Sequence, residues 1–367
     1  MKYNWQQTDW PDFYFDTRDD IEGELLAIAK ETSYVDGFLK ALPENIQTET
    51  LLDIMVAEAI KTSEIEGEYL SRPDVTSSIK NNLGLNTRIA VVYDKKAQGA
   101  GELMVTVRNT YADPLTLEML FRWHIMLFPQ PSRIAKGAWR THEEPMQVVS
   151  GALGKETVHF EAPPSNSIPA EMQRFIQWFN DTAPGGSKEM KKAPLRSAIA
   201  HLYFESIHPF EDGNGRVGRA IAEKALSQTM GHPAMLSLSQ TIEADKKAYY
   251  QALEAAQRKN DITNWLSYFV HVVYTAQVAS KQLVGFTLKK ARFIDQHKGT
   301  LNDRQLKVVL RMLEYPDGFE GGMTARKYTA ITKTSKATAT RDLQQLAELG
   351  VLVPGGGGRS VHYSVNL

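Results

Sequence analysis

The chain contains no cysteine. That excludes disulfides, zinc sites built on thiolates and cysteine nucleophiles, and it fits a reducing compartment. No uninterrupted apolar run reaches the roughly 18 residues that a membrane helix needs. The start, "MKYNWQQTDWPDFYFD", lacks the basic opening and apolar centre of a signal peptide. A soluble cytoplasmic protein with no membrane partner is the expectation. Net charge is nearly absent: 42 Lys and Arg against 43 Asp and Glu give −1 over 367 residues, so nothing global draws the chain to nucleic acid or to acidic membranes. Internal repeats and low-complexity tracts are missing too. The length suffices for two or three domains with substantial cores.

Helical periodicity fills the stretch from residue 19 to about residue 290. Leu51, Leu52, Met55, Val56, Ala59 and Ile60 recur at three- and four-residue spacing, and Gly67 stands where such a helix would be capped. Around Gly151 and Gly154, "MQVVSGALGKETVHFEAPP" reads as a hairpin ended by Pro163 and Pro164. Trp5, Trp10, Phe13 and Phe15 are expected to strap the N-terminal segment onto the body. From about residue 299 the pattern becomes three short helices followed by a hairpin with a four-glycine tip, in which Val361, Tyr363 and Val365 alternate with polar residues. That order predicts a winged helix-turn-helix. Ser335, Lys336, Thr338, Thr340 and Arg359 are its candidate contacts to DNA, while protein contact is the competing use, because nine Lys and Arg against six Asp and Glu from Leu301 to Leu367 is a small excess.

The chemistry concentrates in "HPFEDGNGRVGR", His208 to Arg219. Pro194 opens a helix along which Leu195, Ile199, Leu202 and Ser206 follow one face, and the proline after His208 ends it. A second apolar-periodic run, "AIAEKALSQTM", starts after Arg219, so the motif is expected between two helices with "DGNG" as the turn. Gly213 and Gly215 allow successive N–H groups to converge into an anion nest. Arg216 and Arg219 supply forked donors for phosphate. Asp212 offers a hard oxygen for Mg²⁺, and His208 is the group able to accept a proton near neutral pH. An anion cradle, a metal ligand and a base in one loop point to phosphoryl or nucleotidyl transfer.

The same twelve residues resemble the signature of the Fic family, HPFxDGNGRxxR, at every specified position. The resemblance implies a mainly α fold, a helical core with a β-hairpin flap, and transfer of AMP from ATP to a Ser, Thr or Tyr hydroxyl of a protein target or of the chain itself. It implies that His208 deprotonates that hydroxyl, that Asp212 holds Mg²⁺, and that Asn214 helps hold the α-phosphate. The amides around Gly213 and Gly215, with Arg216, would bind phosphates, Arg219 would clamp the γ-phosphate, and Phe210 would anchor the loop. The GNGR run and second arginine differ from the related Doc kinases. "TSEIEG" resembles the family's inhibitory pattern (S/T)xxxE(G/N), so Thr62, Glu66 and Gly67 would form an inhibitory element in which Glu66 occupies Arg219. Val158, His159 and Phe160 fall where the flap would dock a target as an added strand, and "KAYYQALEAAQ" resembles the adenosine-covering stretch, making Tyr249, Tyr250 and Gln257 nucleotide contacts. His124, His201 and His271 are read as ordinary packed or surface groups. The implied layout is an N-terminal helical region over 1–110 carrying the inhibitory helix at about 50–67, a Fic domain over 111–290 and the winged helix over 300–367, with self-association into a homo-oligomer. Removal of AMP from a modified protein at the same site, and DNA-linked regulation through the winged helix, remain the alternative functions.

Overall fold

Caps and breakers cut the helical pattern into separate rods. The computed structural model describes residues 2–131, 133–151, 157–314, 318–357 and 360–367. Gly154 of the expected hairpin and Arg359 of the glycine tip lie outside the described residues. In chain order come α1 (Asp19–Lys40), α2 (Glu44–Ile65), α3 (Arg72–Asn82), α4 (Lys95–Asn109) and α5 (Leu117–Leu127), then the strands β1 (Gln147–Ser150) and β2 (Thr157–Glu161). There follow α6 (Ile168–Asp181), α7 (Ala193–Ile207), α8 (Asn214–Met230), α9 (Leu238–Ala244), α10 (Lys246–Ala256) and α11 (Thr263–His297). The last elements are α12 (Asp303–Met312), α13 (Ala325–Thr332), α14 (Lys336–Glu348), β3 (Leu352–Gly355) and β4 (His362–Val365).

The chain divides into one compact unit of Met1–Phe38 and Leu51–Lys281 and a second of Leu39–Thr50 and Gln282–Leu367. In the first, side-chain caps start the helices: the Ser71, Asp94 and Thr116 side chains accept backbone N–H bonds at the openings of α3, α4 and α5. Its centre is α7, which packs most extensively on α8. The sequence suggested one apolar face for α7, but all of its residues are buried, because helices and the N-terminal strap cover it on every side. The strap is as expected: Trp5 Nε1 donates to the Glu161 carbonyl at 2.7 Å, Trp10 stacks edge-on against Tyr203 at 5.2 Å, and Asn4 Nδ2 donates to Ser206 Oγ at 2.8 Å.

The β1–β2 hairpin is antiparallel, pairing Val148 with Phe160 and Val149 with Val158, so His159 is the extra residue of a bulge. In the second unit, Val308, Val309, Met312, Tyr328, Leu343, Leu346 and Leu352 share a core with Phe293. Asn302 and Gln305 form a capping box at the start of α12, and Ser335 caps α14 through the Thr338 N–H. Tyr363 and Val365 pack on this core, whereas Val361 lies before β4 and is exposed. Ser335, Lys336 and Thr340 are exposed on the first turns of α14, with Thr338 half-buried.

Candidate active site

The segment His208–Arg219 joins the two central helices, but not as a loop throughout. α8 already begins at Asn214. Apolar periodicity is weak over its first turns, because Val217 is the one large apolar side chain buried between Asn214 and Arg219, while Asn214, Arg216 and Arg219 are buried against polar groups. The true turn is His208–Gly213. His208 closes α7 in the left-handed region at φ 51°, and Gly213 opens α8 at φ 82°. Between them Asn214 bridges the turn: its Oδ1 accepts from the Phe210 N–H and its Nδ2 donates to the Phe210 carbonyl, both at 2.9 Å. Both side-chain groups of Asn214 are thus engaged in closing the loop. The first N–H groups of α8 have no helical partner and carry the positive end of its dipole. Gly215 has ordinary helical backbone, contrary to the expected nest role. It is required by close approach instead, since a Cβ there would stand 2.2 Å from Glu66 Oε1.

Burial and the positive charge of Arg140 push the His208 imidazole down to about 4, so it is neutral at physiological pH. Its Nδ1 is buried without a partner, 3.7 Å from Glu205 Oε2. The ring keeps 15% of its surface, leaving Nε2 as the nitrogen open to a substrate. Burial raises Glu205 to about 8 and lowers His201 to about 3, so both side chains are mainly neutral near pH 7. Arg140 fixes the loop from behind: Nε donates to the His208 carbonyl at 2.9 Å, Nη1 to Ser165 Oγ at 2.8 Å, and its own N–H to the Pro209 carbonyl at 3.0 Å. His124 stacks flat on Phe210 at 4.0 Å, accepts the Gly137 N–H at Nδ1 and therefore donates from Nε2 to the Asp212 carbonyl at 3.1 Å.

The end of α2 reaches the same place. Glu68 N–H bonds to the Ser63 carbonyl and Gly67 N–H to the Glu64 carbonyl, a Schellman turn that needs the positive φ of 78° at Gly67. The turn aims two carboxylates at α8. Arg219 donates from Nε to Thr62 Oγ1 at 2.7 Å and from Nη2 to the Thr62 carbonyl at 2.9 Å and to Glu66 Oε1 at 2.7 Å. Arg216 donates from Nη1 to Glu68 Oε2 at 2.6 Å, and Lys96 holds the other Glu68 oxygen at 2.7 Å. Burial works against the charge on Glu66, yet Arg219, by charge and hydrogen bond, with Arg216 and Lys246, holds its carboxyl below the usual range. Burial likewise opposes the charge on Arg219, and Glu66 more than offsets it.

At this site, among the described residues, two buried guanidinium donors lack acceptors: Arg219 Nη1 and Arg216 Nε. Orphaned guanidinium N–H groups beside a helix N-terminus fit an anion with several oxygens. Asp212 fits Mg²⁺ as its protein ligand. Its side chain is 58% exposed, and one carboxylate oxygen accepts the Gly213 N–H at 2.5 Å. Among the described residues no cluster of three or more acidic or histidine ligands exists.

The structure does not bring every expected residue to the site. α10 turns Tyr249, Leu253 and Ala256 into the core, and the Tyr249 hydroxyl pairs with His201 Nε2 at 2.9 Å. Gln257 is buried too, its Nε2 bonding the Glu205 carbonyl at 3.1 Å. Neither has a side-chain surface for adenosine. Tyr250, about 100° further round the helix, is 38% exposed and lies beside Glu66 and Arg219. In the flap, Phe160 is buried against Tyr3 at 5.1 Å. Arg258 Nη2 bonds the His159 carbonyl and Trp5 the Glu161 carbonyl, each at 2.7 Å. The outer edge of β2 is therefore occupied, and of the expected Val158, His159 and Phe160 only Val158 offers an exposed apolar side chain.

Four contributors escaped sequence reading: Glu68, Arg140, His124 and Glu205. A second carboxylate two residues after Glu66 was a visible signal for the first. The other three act through tertiary contacts and carry no motif.

Residues 114–226 match the sequence model of the Fic/DOC family, and residues 3–85 match a Domain of unknown function (DUF4172). A probable protein adenylyltransferase of Aquifex aeolicus is 34% identical over 67 residues, 18% of this chain and 19% of that protein. A Fido domain-containing protein of Dictyostelium discoideum is 36% identical over 92 residues, 25% of this chain and 58% of that protein. The chain thus spans less than two thirds of these curated relatives. The crystal structure of a Fic family protein from Desulfovibrio desulfuricans superposes over 97% of this chain and 98% of that one, with a TM-score of 0.55 and 19% identity. The chain carries a Fic domain in a mostly helical fold with a small β-hairpin flap.

Proposed function

Starting from a Fic domain whose two loop arginines are both held by carboxylates, we propose a protein adenylyltransferase that represses itself. ATP is the donor. The observation that carries the reading is the pairing of an open, neutral His208 with the orphaned donors Arg216 Nε and Arg219 Nη1 across one helix N-terminus. The triphosphate lies along the first N–H groups of α8 and these guanidinium groups. Bound Mg²⁺, held by Asp212, would neutralise phosphate charge. A target hydroxyl attacks the α-phosphorus, its proton passes to His208 Nε2, the bond from the α-phosphorus to the bridging oxygen breaks, and pyrophosphate leaves. Arg140, His124 and Asn214 keep the turn in place, so that the base does not move relative to the nest.

Repression follows from the same contacts. Glu66 and Glu68 take donors that the nucleotide's phosphates need, and Glu66 sits where the nest faces Gly215. Glu66→Gly is expected to raise AMP transfer at least tenfold, read as label from α-labelled ATP on any protein hydroxyl, including the chain's own. Adding His208→Ala should abolish it. Unchanged labelling in Glu66→Gly would remove the repression, and labelling that survives without His208 would remove the base. Release of AMP from a pre-modified protein, dependent on Glu66, would instead assign the site to AMP removal.

A further inference from the structure

Within the first compact unit, α1, α7, α8 and α11 border an open cleft of about 370 Å³. α7 meets it at its first residues, Ala193 and Pro194, and α8 at its last turn, so it lies at the ends of these helices remote from His208–Gly213. The floor is apolar: Ile28, Leu226, Leu236 and Val273 are all buried there. Gln277 breaks the pattern. It follows Val273 by one turn of α11 and lines the cleft with only 1% of its surface exposed, whereas Phe269, Val270, Val273 and Ala276 of the same helix are apolar core. Its side-chain amide has no hydrogen bond to any described residue. A buried amide is costly unless a partner satisfies it, and such groups in folded proteins are almost always bonded.

A partner for Gln277 would give a donor to Oε1 and an acceptor to Nε2. The chain itself shows how one side-chain amide meets both needs. Asn81 Oδ1 accepts the Ala90 N–H while its Nδ2 donates to the Ala90 carbonyl, both at 2.9 Å. An amino acid acylated on its nitrogen presents the same edge, an N–H and a carboxylate oxygen flanking one carbon. The rim carries the charge to match that carboxylate. Lys191 is exposed there and has no ion pair among the described residues, while Lys192 is already paired with Glu22 and His232 with Asp36. None of the described residues lining the cleft is acidic.

We propose that this cleft binds an N-acyl amino acid, an apolar acyl chain joined through an amide to a free carboxylate. The acyl chain lies on Ile28, Leu226, Leu236 and Val273. The ligand N–H donates to Gln277 Oε1, Gln277 Nε2 donates to one carboxylate oxygen, and Lys191 Nζ donates to the other. A cleft of this volume suits a chain of about ten carbons. Binding here does not depend on the reaction proposed above.

Calorimetry on the full-length protein with N-decanoylglycine should give a dissociation constant below about 100 µM. Decanoic acid, which lacks the amide, and the methyl ester of N-decanoylglycine, which lacks the charge, should each bind at least tenfold more weakly. Gln277→Leu should weaken N-decanoylglycine at least tenfold. The same change should leave the melting temperature of the free protein unchanged or raised, because an apolar group of similar size replaces an unbonded buried amide. Lys191→Ala should weaken the acid and leave the affinity for the ester unchanged. Absence of binding at about 1 mM overturns the proposal, as does equal affinity for decanoic acid, or a Gln277→Leu protein that binds as tightly as the wild type. Tighter binding of an acetylated apolar tripeptide with a free carboxyl end would also overturn it, making the occupant a peptide terminus.

Discussion

At the scale of single residues, His208 shows how surroundings set chemistry. An unperturbed imidazole titrates near 6.5 and would be partly protonated in neutral solution. Burial, with Arg140 behind the turn, brings His208 down to about 4. The expected kcat/KM of Glu66→Gly for AMP transfer is therefore flat from neutral pH to about 5, falling only as pH approaches 4. A profile that breaks near 6.5 would contradict the assignment. The same depression acts on stability: the unfolded chain binds this proton near 6.5 while the folded chain resists it until about 4, so stability is full above 6.5 and is lost as pH falls across that window. Glu68 is the second residue-scale test. Arg216 is almost fully buried, but Glu68 is partly exposed, so the pair contributes about 1 kcal/mol. Glu68→Gln should tighten ATP binding about fivefold by calorimetry, an effect distinct from that of Glu66.

At the scale of elements, the proposed repression depends on α2 being held still. Helix propensity cannot do that. Glu58, buried in mid-helix, accepts from Ser237 Oγ at 2.7 Å and from the Ser239 N–H at 2.9 Å, with Ser239 Oγ on its other oxygen, so the start of α9 grips α2. Lys246 bonds the Ile65 carbonyl at its end. Glu58→Ala strands three buried donors and should cost about 3 kcal/mol, seen as a melting temperature lower by about 6 °C. The loosened helix should also partly release AMP transfer. The flap teaches a related lesson. Alternation identified the hairpin, but the bonding of β2's outer carbonyls depends on Trp5 and Arg258, both far from β2 in sequence.

At the scale of the whole molecule, the chain has separate cores. The one formed by α12–α14 and the β3–β4 hairpin borrows Phe293 from α11. A fragment of residues 288–367 should unfold cooperatively by circular dichroism, and one starting at residue 299 should be less stable by about 2 kcal/mol for want of that ring. A non-cooperative longer fragment would show that this core is incomplete alone.

In the sequence, residue types and spacing placed a turn between two helices within "HPFEDGNGRVGR", while the link from Glu66 of "TSEIEG" to Arg219 came only from the family resemblance. The helical character, the three short C-terminal helices and the two hairpins were legible because periodicity and turn residues act within a few positions. Tertiary structure alone decided the rest. It buried Tyr249 and Gln257 and left Tyr250 partly exposed, started α8 inside the motif, and placed Glu68 on Arg216 and Arg140 behind His208. Those outcomes depend on burial and on charges brought together from distant parts of the chain, and neither quantity exists until the chain has folded.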